Sequence, residues 1–307
     1  MIRFSFLILL LITNSVFADQ RADLAQGKYW QRLLRYQSRF FGGHKSEAYN
    51  EKFFLSPVGR TNPLAELNTD VDAFLLPVES GKQHAQCRFP ERYKFLKKEL
   101  SLTATDIDCP EFKKWKAAID ARSFSLIFAA AFMNSPASIA GHTFLKVDRK
   151  TRGRSGEVSD LLDNVINYAA ATGDDAGFKY MFKGMTGGFN GEFMVTFYYD
   201  TIQIYRNIEQ RDLWEYKLNL TDEQIERLLG NLWEIQQASF QYYFFDENCS
   251  YHLLALLEVA NPDWDLTSQL GIIVNPADAV KAVSRTKGAV SEVRARPSQH
   301  KQLMARL

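Results

Sequence analysis

Nucleophilic and proton-transfer chemistry in this chain is confined to few residue types. There are three cysteines (Cys87, Cys109 and Cys249) and five histidines (His44, His84, His142, His252 and His300). A thiolate beside an imidazole can open a carbonyl centre and carry the acyl group covalently. Cys249 follows Asp246-Glu247-Asn248 and opens an apolar segment of helical character that ends at Asn261-Pro262. At the first turn of a helix the unpaired backbone N–H groups and the dipole favour negative charge, which lowers a thiol pKa. The same N–H groups can hold an oxyanion. For the base, His142 stands out. Gly141 and a run of small residues precede it, and Thr143 to Val147 reads as a strand. His252 lies three residues after Cys249 on the same helix, where local geometry makes it a poor partner. Asn167, in the apolar segment Val165 to Ala170, and Asp148 are the candidates to orient the imidazole.

The cysteine count is read with the start of the chain. Met1-Ile2-Arg3, the apolar run from Phe4 to Ile12 and the small residues at Val16-Phe17-Ala18 have the form of a secretory signal, with a cut after Ala18. No cysteine follows that cut, so the chain is not itself expected to be a lipoprotein. Export implies an oxidising compartment, where an odd number of cysteines leaves one thiol over. Cys87 and Cys109 flank a helical stretch, Pro90 to Leu100, and are expected to be bonded, leaving Cys249 free.

The positioning elements follow from punctuation and periodicity. Residues 22–41 carry apolar positions at helical spacing, residues 53–86 read as loops with short elements, and Pro110 to Ala121 reads as a helix. From Ser123 the character changes to strands: Ser123 to Met133, Gly141 to Val147, Val165 to Ala170, Glu192 to Tyr199, Ile202 to Arg206 and Leu213 to Leu220, with a loop at Gly184 to Gly188. Thr221 and Gln224 form a capping box for a long amphipathic helix, and Phe240 to Phe245 is aromatic and extended. Antiparallel strands followed by helices make the class α+β. The expected divisions are a signal peptide (1–18), a mostly helical N-terminal region with the Cys87–Cys109 disulfide (19–121), a catalytic domain (122–285) and a polar tail (286–307). Lys and Arg number 37 against 36 Asp and Glu, a net charge of +1 that gives no reason to expect nucleic acid. No stretch after the signal is long and apolar enough to span a membrane, and nothing calls for a metal or cofactor.

A strand histidine preceding an Asn-Cys helix start is similar to the permuted papain-like enzymes of the NlpC type and to the lecithin:retinol acyltransferase family. A wider set of motifs spans about residues 80 to 285. It comprises Cys87-Arg88-Phe89-Pro90, Cys109-Pro110-Glu111-Phe112, Ser135-Pro136-Ala137-Ser138, Gly141-His142-Thr143-Phe144-Leu145, Asn167-Tyr168-Ala169-Ala170, Arg211-Asp212-Leu213-Trp214-Glu215-Tyr216 and Glu247-Asn248-Cys249-Ser250-Tyr251. In that order they resemble the Lnb-type lipoprotein N-acyltransferase family, whose larger members also carry C-terminal membrane helices. The resemblance implies a permuted papain-like core with an antiparallel sheet and a nucleophile helix. It implies Cys249, His142 and Asn167 as catalytic residues and Ser138, Asn248 and Tyr251 as substrate-binding residues. It also implies a phospholipid acyl donor, a bacterial lipoprotein acceptor, and work in the periplasm on the outer face of the inner membrane. Tyr242 to Phe245 and Gly187-Gly188-Phe189 are read either as an acyl groove or as core. Two other functions fit the same residues: an exported cysteine peptidase or amidase acting on cell-wall peptides, since water or an amine can resolve one acyl-enzyme, and a binding domain without catalysis.

Overall fold

A computed structural model describes residues 19–77, 84–132, 141–150, 163–173 and 177–304. The signal segment 1–18 and Ser138 therefore lie outside the described residues. The chain divides into two compact units, Met1–Cys109 and Pro110–Leu307.

The first unit is mainly helical. A helical segment at 19–26 is followed by α1 (Lys28–Leu33), a two-stranded antiparallel ribbon of β1 (Tyr36–Ser38) and β2 (His44–Ser46), then α2 (Pro63–Phe74), α3 (Ala85–Arg88) and α4 (Pro90–Glu99). The single long helix expected over 22–41 is broken. Gly27 separates its two pieces, and Arg35 takes a positive φ of 57° that ends the second. The loop expected over 53–86 contains α2, whose start is written locally: the Asn62 side chain accepts from the Ala65 N–H, and Pro63 occupies the first helical position. Arg92 anchors this core. It is fully buried, 3.1 Å from Glu66 and 3.5 Å from Asp70, and its guanidinium lies over the rings of Phe53 and Phe89. Cys87 and Cys109 are bonded, with their Cα atoms 5.2 Å apart, and Cys249 is the free thiol.

The second unit is built on a seven-stranded antiparallel sheet. Helix α5 (Pro110–Ile119) leads into β3 (Ala121–Ala129), β4 (His142–Arg149) and β5 (Asn164–Ala171). Then come α6 (Gly177–Thr186), β6 (Phe189–Phe197), α7 (Tyr198–Ile202), which continues as a π-helical turn at Gln203–Ile208, and β7 (Leu213–Leu218). Helix α8 (Asp222–Ile235), β8 (Phe240–Tyr242), α9 (Cys249–Ala260), α10 (Pro276–Arg285), β9 (Val290–Arg296) and α11 (Gln299–Met304) complete it. The strand order is β8-β6-β5-β4-β3-β7-β9, with every neighbouring pair antiparallel.

Three expectations are corrected. Ile202 to Arg206 is helical, because β6 and β7 are separated in the sheet by β5, β4 and β3, so the chain must cross it. The crossing packs Tyr198 and Ile202 on the sheet, against Ile127, Phe144 and Val165. Gly184 to Thr186 closes α6 rather than lying in a loop. The stretch expected as a polar tail supplies β9, which pairs with β7 at the sheet edge.

Residue alternation along β4 and β5 assigns the two faces of the sheet. Thr143 and Tyr168 meet α9: the hydroxyls of Thr143 and Ser250 are 2.9 Å apart, and the Tyr168 ring is 4.1 Å from that of His252. Phe144 and Val165 meet the crossing at Tyr198–Ile202. Helix α9 is buried almost throughout. Its far end is fixed by Glu258, which accepts from the backbone N–H groups of Leu266 (2.6 Å) and Thr267 (2.8 Å).

Candidate active site

The start of α9 is set by Asn248. Its side-chain oxygen accepts from Ser250 N at 3.0 Å and from Tyr251 N at 3.5 Å, and its amide nitrogen donates to the carbonyls of Phe244 (3.2 Å) and Val274 (2.7 Å). The amide group is thus committed on both sides to the protein. Cys249, the first helical residue, is held at the positive end of the helix with its Sγ buried.

His142 is the first residue of β4. Gly141 before it has φ +104°, and a Cβ there would meet the Phe128 ring at 2.7 Å and the Ala129 carbonyl at 2.9 Å. Only glycine fits that approach. His142 Nδ1 lies 3.1 Å from Cys249 Sγ, and Nε2 lies 2.9 Å from Asn167 Oδ1 on β5. The neutral amide oxygen accepts from the Nε2–H, which turns Nδ1 toward the sulfur. Asp148, the other candidate for this place, is engaged elsewhere, with Lys146 Nζ at 2.9 Å and Ser123 Oγ at 2.8 Å.

Electrostatics follow the geometry. Burial by itself disfavours both charges, pushing the thiol up and the imidazolium down. The mutual charge and hydrogen bond of the two groups overcome it. The Cys249 thiol is lowered to about 6, helped by Thr143 and Ser250, and His142 lies above its ordinary value. The pair therefore favours thiolate and imidazolium, which is the form that attacks a carbonyl and then protonates a leaving group.

The remaining candidates fall into place around it. Tyr251 is half-buried on the first turn of α9. His252 sits in an aromatic cluster, its ring 4.1 Å from Tyr168, 4.9 Å from Phe240 and 5.3 Å from Tyr251, rather than at the thiol. His84 caps α3, accepting from Gln86 N at 3.2 Å. Most of the aromatic run packs internally: Tyr242 stacks on Tyr168 at 5.5 Å, and Phe244 stacks on Phe189 at 6.4 Å and meets Tyr180 at 5.1 Å. Phe245 is exposed.

Four contacts were not legible beforehand. Thr143 and Ser250 lie beside the sulfur. The buried Tyr242 hydroxyl meets the Cys249 amide, and burial, then the nearby Cys249 charge, hold that phenol well above its ordinary value. Tyr205 stacks on the His142 ring at 5.8 Å. Ser250 and Thr143 flank the two catalytic candidates in sequence, which is the one local signal that pointed toward them.

Residues 111–286 match the model of the Lnb N-terminal periplasmic domain. The chain belongs to that family. The match covers more than half of the chain and carries Cys249, His142 and Asn167 within it. Residues 22–99 match a domain of unknown function, DUF7843, so each unit of this Lnb-family protein has its own family model. No curated protein and no solved structure matches the chain. Among the described residues, no helix is long and apolar enough to cross a membrane.

Proposed function

We propose that this Lnb-family protein is a thiol acyltransferase. In this reading it takes an acyl chain from a membrane phospholipid and passes it to the N-terminal amine of a diacylglyceryl-cysteine lipoprotein. One observation carries the proposal: the free thiol opens a helix 3.1 Å from an imidazole nitrogen whose partner nitrogen is held by Asn167. The helix-borne thiol, the strand-borne imidazole and the order His before Cys are read together as a permuted papain-like core. The chain is exported by its signal segment and works in the periplasm, on the outer face of the inner membrane.

The reaction runs in two halves. The Cys249 thiolate attacks an ester carbonyl of the donor, and the tetrahedral intermediate collapses with loss of the lysolipid alkoxide. The His142 imidazolium protonates that alkoxide, which leaves a thioester on Cys249 and a neutral imidazole. The acceptor's neutral α-amine then attacks the thioester. His142 takes the amine proton as the carbon–nitrogen bond forms and the carbon–sulfur bond breaks, restoring thiolate and imidazolium. A thioester is a better acyl donor to an amine than an ester is, so the covalent stage divides one hard transfer into two easier ones. Asn167 orients the imidazole, and Asn248 positions the start of the helix through its internal bonds. Tyr251 and Ser138 are assigned to substrate.

The test is transfer itself. The protein is incubated with phospholipid vesicles and a diacylglyceryl-cysteine peptide, and the peptide is weighed by mass spectrometry. Gain of one acyl group that is lost in Cys249→Ala supports the reading. Cleavage of cell-wall peptides without any peptide acylation moves the protein to the peptidase or amidase class.

A further inference from the structure

The Arg211-Asp212-Leu213-Trp214 motif supplies no side chain to the Cys249–His142–Asn167 group, yet it reaches that group through one residue. Arg211 is buried at the end of β3. Its Nε donates to the Ala130 carbonyl at 2.5 Å and its Nη2 to the Ala129 carbonyl at 3.1 Å, while Nη1 pairs with Glu209 at 2.8 Å. Ala129 is the residue opposite His142 in the β3–β4 ladder. Arg211 also fixes Tyr205 twice. Its backbone N–H donates to the Tyr205 carbonyl at 2.8 Å, and its guanidinium lies 4.8 Å from the centre of the Tyr205 ring. Tyr205 sits in the π-helical turn Gln203–Ile208, a backbone form found mostly as short interruptions and often at functional sites. Its ring stacks on two rings of β4: His142 at 5.8 Å and 30°, and Phe144 at 5.7 Å and 14°.

We propose that Tyr205 is a positioning residue for His142, its ring laid on the imidazole and held there by Arg211 so that Nδ1 stays on Cys249 Sγ. The hydrogen bond to Asn167 fixes one edge of the imidazole but leaves it free to rock about that bond. A stacked ring removes that freedom. The face of a phenol also attracts a cation, so it favours the imidazolium that partners the thiolate. Among the described residues, the charged and titratable groups around the imidazole and its thiol are Cys249 from α9, Tyr205 from the crossing segment, Tyr242 from β8 at the Cys249 amide, and Arg211, whose charge opposes the imidazolium, with its counter-ion Glu209; Asn167 from β5 is neutral. The inference rests on Cys249 and His142 being nucleophile and base, and is independent of the acyl donor and acceptor.

The experiment is the pH dependence of Cys249 alkylation by iodoacetamide in the full chain, for the unaltered protein, Tyr205→Phe and Tyr205→Leu, with thermal melting to confirm folding. If Tyr205→Leu does not fold, Tyr205→Met, which keeps bulk without an aromatic face, takes its place. Tyr205→Phe should behave as the unaltered protein. The aliphatic variant should have its midpoint moved up by roughly one pH unit, so that it alkylates about twofold more slowly at neutral pH and about tenfold more slowly near pH 5. An aliphatic variant with an unchanged profile overturns the proposal, as does a Tyr205→Phe profile equal to the aliphatic one, since that would assign the effect to the hydroxyl. An ordinary thiol profile in the unaltered protein would instead sink the Cys249–His142 reading itself.

Discussion

His142 Nδ1 stands 3.1 Å from Cys249 Sγ, so the first residue of a strand meets the first residue of a helix. Their mutual attraction outweighs the cost of burying both and brings the thiol down to about 6 while raising the imidazole. The sign is fixed by which form reacts. Above the thiol midpoint the nucleophile is thiolate, so the alkylation rate should be close to its plateau at neutral pH, where an ordinary thiol, at ~8.5, is mostly protonated. Turnover should fall again at higher pH as the imidazolium that protonates the leaving group is lost, giving a bell-shaped profile. His142→Ala should raise the alkylation midpoint to the ordinary thiol range or above it, because burial is then opposed only by Thr143 and Ser250, and should abolish turnover with the fold intact. Stopped-flow alkylation across pH measures the midpoint, and acyl transfer to the acceptor peptide measures turnover.

Asn167 holds the far nitrogen of the imidazole at 2.9 Å. Asn167→Ala should leave the chain folded and reduce kcat by about tenfold to a hundredfold, the equivalent of losing one hydrogen bond to a charged group at ~1.5–3 kcal/mol. Steady-state rates with saturating donor check this. A variant that turns over normally would make Asn167 a bystander.

Asn248→Ala removes the cap of α9 and leaves the carbonyls of Phe244 and Val274 without their side-chain donor. Loss of the cap alone should cost about 1–2 kcal/mol, and two abandoned buried acceptors add to it. Denaturant unfolding should register the loss, and alkylation of Cys249 should slow in step because the sulfur is no longer held at an ordered helix start.

The Cys87–Cys109 bond closes a loop with a sequence separation of 22. Replacing both cysteines with serine should destabilise the first unit by roughly 3 kcal/mol, mainly by freeing the unfolded chain. Thiol counting by alkylation of the unreduced protein should label Cys249 alone; label at Cys87 or Cys109 would contradict the pairing.

Elements with local signatures were legible in the sequence. The helix beginning at Cys249 runs between an Asn cap and Asn261-Pro262, and α8 begins at the Thr221–Gln224 capping box, which is formed in full. The β4 strand with its leading glycine was readable, and so was Asn167 as a polar residue in an apolar strand. What failed depends on partners distant in the chain. Ile202 and Ile204 alternate as a strand would, but the segment has to cross three strands of the sheet to reach β7 and does so as helix. Strand β9 is exposed along most of its length, so no burial alternation marks it. Tyr205 carries no local mark at all, because the His142 ring on which it stacks belongs to β4, far away in sequence. The Asn62-Pro63 start of α2, by contrast, was a local signal that a reading by Pro and Gly punctuation passed over.

The central claim is that Cys249 carries an acyl group from a phospholipid. Intact-mass measurement after incubation with phospholipid vesicles tests it directly. The account predicts one acyl chain added to the protein, released by hydroxylamine and absent in Cys249→Ala. A mass that stays unchanged while the thiolate remains reactive to alkylation would contradict it.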